Sequence, residues 1–110
     1  MQHPLQINNH NLLLSSEEEE KIRIKAAKLE RFCDHITSCH VTVDAPHMHS
    51  NKGVLYELHI NIDVPGEELV VKHEPNENLH VAIRDAFDAA ERQLKAYVQR
   101  RSGAARLHNS

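Results

Sequence analysis

With 110 residues, 40% hydrophobic and 26% charged, the chain has the size and balance of one soluble domain with a single modest core, which excludes a second folded domain and disorder throughout. Aromatic residues make up 4%, so that core must be mostly aliphatic. A net charge of -3 speaks against a polyanionic partner only on average, because distribution decides such contacts more than the sum does: Lys21, Arg23, Lys25, Lys28 and Arg31 stand against Glu30 alone, and no acid follows Arg92.

Taken in chain order, Leu5 to Leu14 alternates apolar and polar residues at its start, which predicts an opening strand and a short loop. Ser15 with Glu18, or Ser16 with Glu19, supplies the Ser-x-x-Glu pattern of a helix start, and Glu17 to Glu20 suit the positive end of the helix dipole. Ile22, Ala26, Leu29 and Cys33 form an apolar stripe, so the first helix is predicted over Ser16 to Phe32. Lys21, Lys25 and Lys28 line up beside that stripe. Taken alone, that line reads as a solvated row that keeps the protein soluble.

Ile36 to Val43 alternates as a half-buried strand. Val54 to Val64 carries the clearest alternation in the chain, with Tyr56, Leu58, Ile60 and Ile62 on one side and Glu57, His59, Asn61 and Asp63 on the other. Pro65-Gly66 is a turn signal. Leu69, Val70 and Val71 form the last strand, and Pro75 and Asn76 end it and open the second helix. In that helix Leu79, Ile83, Ala86, Ala90, Leu94 and Tyr97 recur at spacings of three and four, while Arg92, Lys95, Arg100 and Arg101 crowd its C-terminal end.

The element order is therefore β-α-β-β-β-α, an α+β fold. The first helix makes a right-handed parallel crossover, three strands follow antiparallel, and both helices pack on one face of a four-stranded sheet. The other face stays polar, as His40, Glu57, His59 and Asn61 require. The two basic segments then lie side by side on the helical layer.

The segments LERFCDHITSCHVTV, VPGEELVV and HVAIRDAFDAAERQL, in this order and spacing, resemble the ribosome hibernation promoting factor family, also catalogued as ribosome-associated inhibitor or sigma-54 modulation proteins. The likeness runs from about Leu5 to Arg101. It implies a fold like that of double-stranded-RNA-binding domains and a function by occupancy. Members bind the small ribosomal subunit between head and body, where messenger and transfer RNA sit, and hold ribosomes idle under stress. Carried over by position, the implied RNA contacts are Lys21, Lys25, Lys28 and Arg31 on the first helix and Arg92, Lys95, Arg100 and Arg101 on the second. The implied partner is the small subunit and its RNA, with no membrane, small-molecule substrate or cofactor.

The chain departs from the family pattern where Ala89, Ala90 and Ala96 stand in place of lysines, which thins the basic surface. A subgroup with the Ala45-Pro46-His47 loop often carries a cold-shock domain after this one. Here residues 1–101 are expected to form the ribosome-binding domain and residues 102–110 a flexible tail, a short form that acts on single ribosomes or with another factor's help.

Other chemistries fit less well. Ten histidines raise the question of zinc, with His47 and His49 in a loop and His40 and His59 on one sheet face, but a structural site needs four placed ligands and neither cysteine has a Cys-x-x-Cys partner, so no metal is expected. Asp85 and Asp88 pair by helix spacing with Arg84 and Arg92, and there is neither a Gly-rich phosphate loop nor a nucleophile motif, so no catalysis is expected. No apolar run approaches the roughly 20 residues of a membrane span. The expected location is the cytoplasm, where Cys33 and Cys39 stay reduced. The alternative reading is a protein-interaction or transcription-regulating module of the sigma-54 modulation type, or a weak homodimer through the open sheet face.

Overall fold

The computed structural model describes the backbone of residues 1–45, 48–49 and 53–109 and the side chains of residues 1–45 and 53–102. Strand β1 (Gln6–His10) closes at Asn11, whose φ of 64° is one that asparagine tolerates. Helix α1 (Ser16–Leu29) then begins on a complete capping box: Glu18 N–H donates to Ser15 Oγ at 3.1 Å, and Ser15 N–H donates to Glu18 Oε1 at 2.9 Å. Of the two registers open in the sequence, the cap uses Ser15.

The helix ends three residues before the predicted Phe32. Glu30, Arg31 and Phe32 donate to the carbonyls of Ala27, Lys28 and Leu29 at 3.2, 3.1 and 3.0 Å, a run of i to i−3 bonds that tightens the chain into a turn. The turn keeps Arg31 exposed and delivers Cys33 and Ile36 to the core. Strand β2 (Ser38–Asp44) follows and pairs parallel with β1.

Between β2 and the next sheet strand, β3 (Met48–His49) and β4 (Gly53–Val54) form a separate two-stranded ribbon. The long strand predicted over Val54 to Val64 therefore divides. Strand β5 (Glu57–Val64) pairs antiparallel with β2 only as far as Asp44 opposite Glu57, so residues before Glu57 have no ladder partner in the main sheet. Tyr56 instead exchanges two backbone hydrogen bonds with Asn76.

Pro65 and Gly66 connect β5 to β6 (Glu67–Lys72) as a two-residue turn. Proline stands at the first turn position and glycine, at φ 88°, at the second, the type II arrangement. Helix α2 (Leu79–Asn109) is capped by Asn78, whose Oδ1 accepts from His80 N–H at 2.9 Å, while Asn76 shapes the turn before it. The sequence ended this helix at Arg101; its backbone continues through Ala104, Ala105 and Leu107, strong helix formers that outweigh one glycine.

The main sheet has the order β1-β2-β5-β6. Ile22, Ala26 and Leu29 of α1 and Leu79, Ile83, Ala86, Ala90, Leu94 and Tyr97 of α2 are buried against Val41, Val43, Leu58, Ile60, Ile62 and Val71 of the sheet. His40, Thr42, His59 and Asn61 share the uncovered face, where register puts His40 opposite Asn61 and Thr42 opposite His59. Among the described residues no three acidic, histidine or cysteine side chains are grouped to hold a metal, and no helix is long and apolar enough to cross a membrane. His47 and the side chain of His49 lie outside the described residues.

Both cysteines are buried and free. Burial, and then the nearby Asp63 carboxylate, push the Cys39 thiol up from 9.0 to about 12. Above pH 9 the unfolded chain releases a proton that the folded chain keeps. This contribution to stability is whole below that pH and is lost as pH rises from 9 toward 12. Urea unfolding at pH 8 and pH 10 should show wild-type protein losing about 1.4 kcal/mol more than Cys39→Ala over that interval.

Candidate nucleic-acid interface

Because β1, β2 and β6 run in one direction, α1 and α2 both return against it and lie parallel. Contacts along their seam follow the same order on both helices. At the start Lys21 Nζ lies 3.2 Å from His80 Nδ1. In the middle Lys25, Lys28 and Leu29 border a groove with Phe87, Asp88 and Glu91. At the end Lys95 Nζ sits 4.8 Å above the ring of Phe32, a cation on the ring's negative face.

Placement of the eight candidate cations follows from helix geometry. Lys25, Lys28 and Lys95 come together around Phe32 along the outer half of the seam, with Lys28 and Lys95 exposed, while Arg31, also exposed, lines a cavity beyond it. Arg92, also exposed, lies one turn before Lys95 on the outer surface of α2. Lys21 is engaged by His80 at the far end of the seam.

The last two arginines leave the seam altogether. Residues 100 and 101 point about 100° apart on a helix. Arg100 turns toward the sheet edge and donates to Glu67 Oε1 at 2.7 Å. Arg101 turns under the helix, donates to the Pro65 carbonyl at 3.1 Å and lies 5.5 Å from the Tyr97 ring. The two basic segments expected side by side therefore meet only near the end of α1. The offset between the helices sets the acidic turn of α2, with Asp88 and Glu91, opposite Lys25 and Lys28.

Sequence reading missed Phe32, His80, Asp88 and Glu91 as parts of this surface. Helix spacing pairs Asp88 with Arg92, yet Asp88 borders the groove with Lys25 and Lys28, whereas Asp85 does accept from Arg84 Nε, at 3.2 Å. A helical wheel carried the signal: Phe87, Glu91 and Lys95 share one flank of α2. Of the three alanines that thin the basic surface, Ala90 is 0% exposed and belongs to the core, whereas Ala96 is exposed.

The α2 end is fixed to the β5–β6 turn. Tyr97 Oη donates to the Pro65 carbonyl at 2.7 Å, and Gln93 Nε2 donates to the Val70 carbonyl at 3.2 Å, covering an edge-strand acceptor. Phe32 borders both the seam groove and a cavity of about 280 Å³ beneath the helix ends, where Arg31 and Arg101 stand on opposite sides.

Comparison with known proteins gives concordant results. The family described as Sigma 54 modulation protein / S30EA ribosomal protein matches residues 5–102. The ribosome hibernation promotion factor of Deinococcus radiodurans is 26% identical over 95 residues, which are 86% of this chain and 49% of that protein. The chain thus spans about half the length of that curated relative. The N-terminal domain of Protein Y from Thermus thermophilus superposes with a TM-score of 0.68 at 24% identity, covering 88% of this chain and 99% of that one. A ribosomal subunit interface protein from Coxiella burnetii superposes with a TM-score of 0.71 at 17% identity, covering 86% and 97%. Both likenesses are of fold.

Proposed function

The chain belongs to the Sigma 54 modulation protein / S30EA ribosomal protein family, and from that premise we propose that it is a ribosome-associated translation inhibitor, a hibernation factor that lays its α1–α2 seam on small-subunit RNA under stress. The place of binding in this reading is the channel for messenger and transfer RNA. The observation that carries it is the convergence of Lys25, Lys28 and Lys95, from both helices, around Phe32 at the seam, with Arg31 exposed next to it in the chain. The uncovered sheet face carries Asp44, Glu57, Asp63 and Glu68 and is unsuited to the same ligand.

Cations so placed gain affinity by replacing counterions condensed on phosphates, a contribution that reads charge and spacing but no base sequence. Selectivity comes from shape, because a rigid pair of parallel helices fits folded RNA only where phosphates line up along the seam. Lys95 is steadied by Phe32, which lowers the entropy lost when it meets a phosphate. Asp88 and Glu91 oppose part of the field, so affinity depends on the outer cations. Inhibition follows from occupancy: a folded domain in the channel leaves no room for messenger or transfer RNA.

Co-sedimentation with empty small subunits across a salt series tests this reading. With about five cations meeting phosphates, log affinity should fall against log salt with a slope of roughly -3 to -5. No binding at low salt, or binding indifferent to salt, would overturn it in favour of a protein-interaction module.

A further inference from the structure

The cavity beneath the helix ends takes no part in the seam as described above. Its walls come from the turn after α1 and from the last described turns of α2. Arg31 is exposed on one side, and among the described residues no carboxylate lies within ion-pair distance of it. Arg101 stands on the other side, held by the Pro65 carbonyl and the Tyr97 ring, a tether that fixes the guanidinium while leaving it exposed with further N–H groups to donate.

Between the two arginines the accessible surface is about equally polar and apolar. Tyr97 is buried with Arg101 over its ring, so the accessible apolar surface is that of Val98 and Phe32, both half-buried. His35 and Asp34 supply polar groups on the wall. One tethered and one exposed guanidinium beside a wall that is part apolar and part polar suit a ligand that carries both a ring and an anion. A volume of about 280 Å³ falls at the small end of ligand pockets and excludes a double helix.

We propose that this cavity receives one unpaired nucleotide of the bound RNA, its phosphate bridged between Arg31 and Arg101 and its base laid along Val98 and Phe32. Asp34 accepts from a base amine. The inference rests on the RNA-binding reading and deepens it. Phe32 borders both the seam and the cavity, so a strand whose phosphates follow Lys25, Lys28 and Lys95 reaches the cavity where α1 ends. Extruded bases are what proteins read in folded RNA, through stacking and edge hydrogen bonds.

The test compares two RNA hairpins that differ by a single bulged nucleotide carrying 2-aminopurine, titrated with the full chain at fixed salt. The bulged hairpin should bind about tenfold more tightly than the paired one, with a change in 2-aminopurine fluorescence on binding. In Ser102→Trp and Val98→Trp, each checked for folding by circular dichroism, a bulky ring fills the cavity and the ratio should fall to about one. Equal affinities in the wild type, no binding of either hairpin, or a ratio that survives both substitutions would overturn the proposal. Because no ribosome is present, a bulge preference without ribosome co-sedimentation would keep the cavity and discard the ribosomal reading, and the reverse pattern would do the opposite.

Discussion

Reversing Lys28 and Lys95 together to glutamate should lower affinity for small subunits by about a hundredfold near physiological salt and flatten the salt dependence by about two contacts. Each replacement removes one phosphate contact and puts a repelling charge in its place, at roughly tenfold per site. The pair is chosen because the structure brings them to the outer half of the seam from different helices, one beside the Asp88 and Glu91 groove and one over Phe32. Folding should survive: both side chains are exposed, and losing the Lys95 contact with Phe32 costs about 0.5–1 kcal/mol. Arg23→Glu is the matched control. Arg23 is exposed on α1, about 160° of rotation away from Lys25 and thus off the seam, and its reversal should change affinity no more than a few-fold. A hundredfold loss in the control, or none in the pair, would place the contact elsewhere.

The largest effect on stability is expected at Tyr97. The side chain is 3% exposed, packs in the core and donates to the Pro65 carbonyl, so it joins α2 to the β5–β6 turn through both apolar and polar contact. Tyr97→Ala leaves a cavity and should cost about 3–5 kcal/mol, a large part of the roughly 5–15 kcal/mol that stabilises a domain. Tyr97→Phe keeps the ring and loses only the hydroxyl bond. Arg101 still donates to the same carbonyl, so this variant should cost about 1 kcal/mol. Urea unfolding followed by circular dichroism separates the two. A phenylalanine variant as unstable as the alanine variant would show that the hydroxyl, and not the packing of the ring, carries the contribution.

Period and punctuation carried most of the fold. The alternation from Leu58 to Val64, the Ser15 and Glu18 cap, the Pro65-Gly66 turn and the stripe from Leu79 to Tyr97 are local patterns, and each fixes its element without reference to the rest of the chain. Where the reading went astray, the deciding partner was remote. The strand from Val54 breaks before Glu57 because β2 has no residue left to pair with it. Leu55 carries no sign of that. Helix α1 stops at Leu29 because burying Cys33 and Ile36 requires a tight turn there.

The candidate surface was legible as a set of cations and not as an arrangement. Helical periodicity puts Lys25 and Lys28 on one flank of α1 and Lys95 on one flank of α2, but the offset between the two parallel helices is set by core packing. That offset brings Asp88 and Glu91 against Lys25 and Lys28 and puts Lys95 on Phe32. Arg100 and Arg101, neighbours in the chain, go to Glu67 and to the Pro65 carbonyl because one helical step separates the sheet edge from the turn. A count of basic residues treats the two alike, whereas the structure takes both off the seam and leaves Arg101 beside a cavity.

The central claim is that this domain occupies the small subunit where messenger and transfer RNA would lie. Its most direct test is sedimentation of the protein with purified small and large subunits, followed by challenge of the complex with messenger and transfer RNA. The account predicts association with the small subunit alone and release when its channel is filled. Equal association with both subunits, or a small-subunit complex that withstands the challenge, would contradict it.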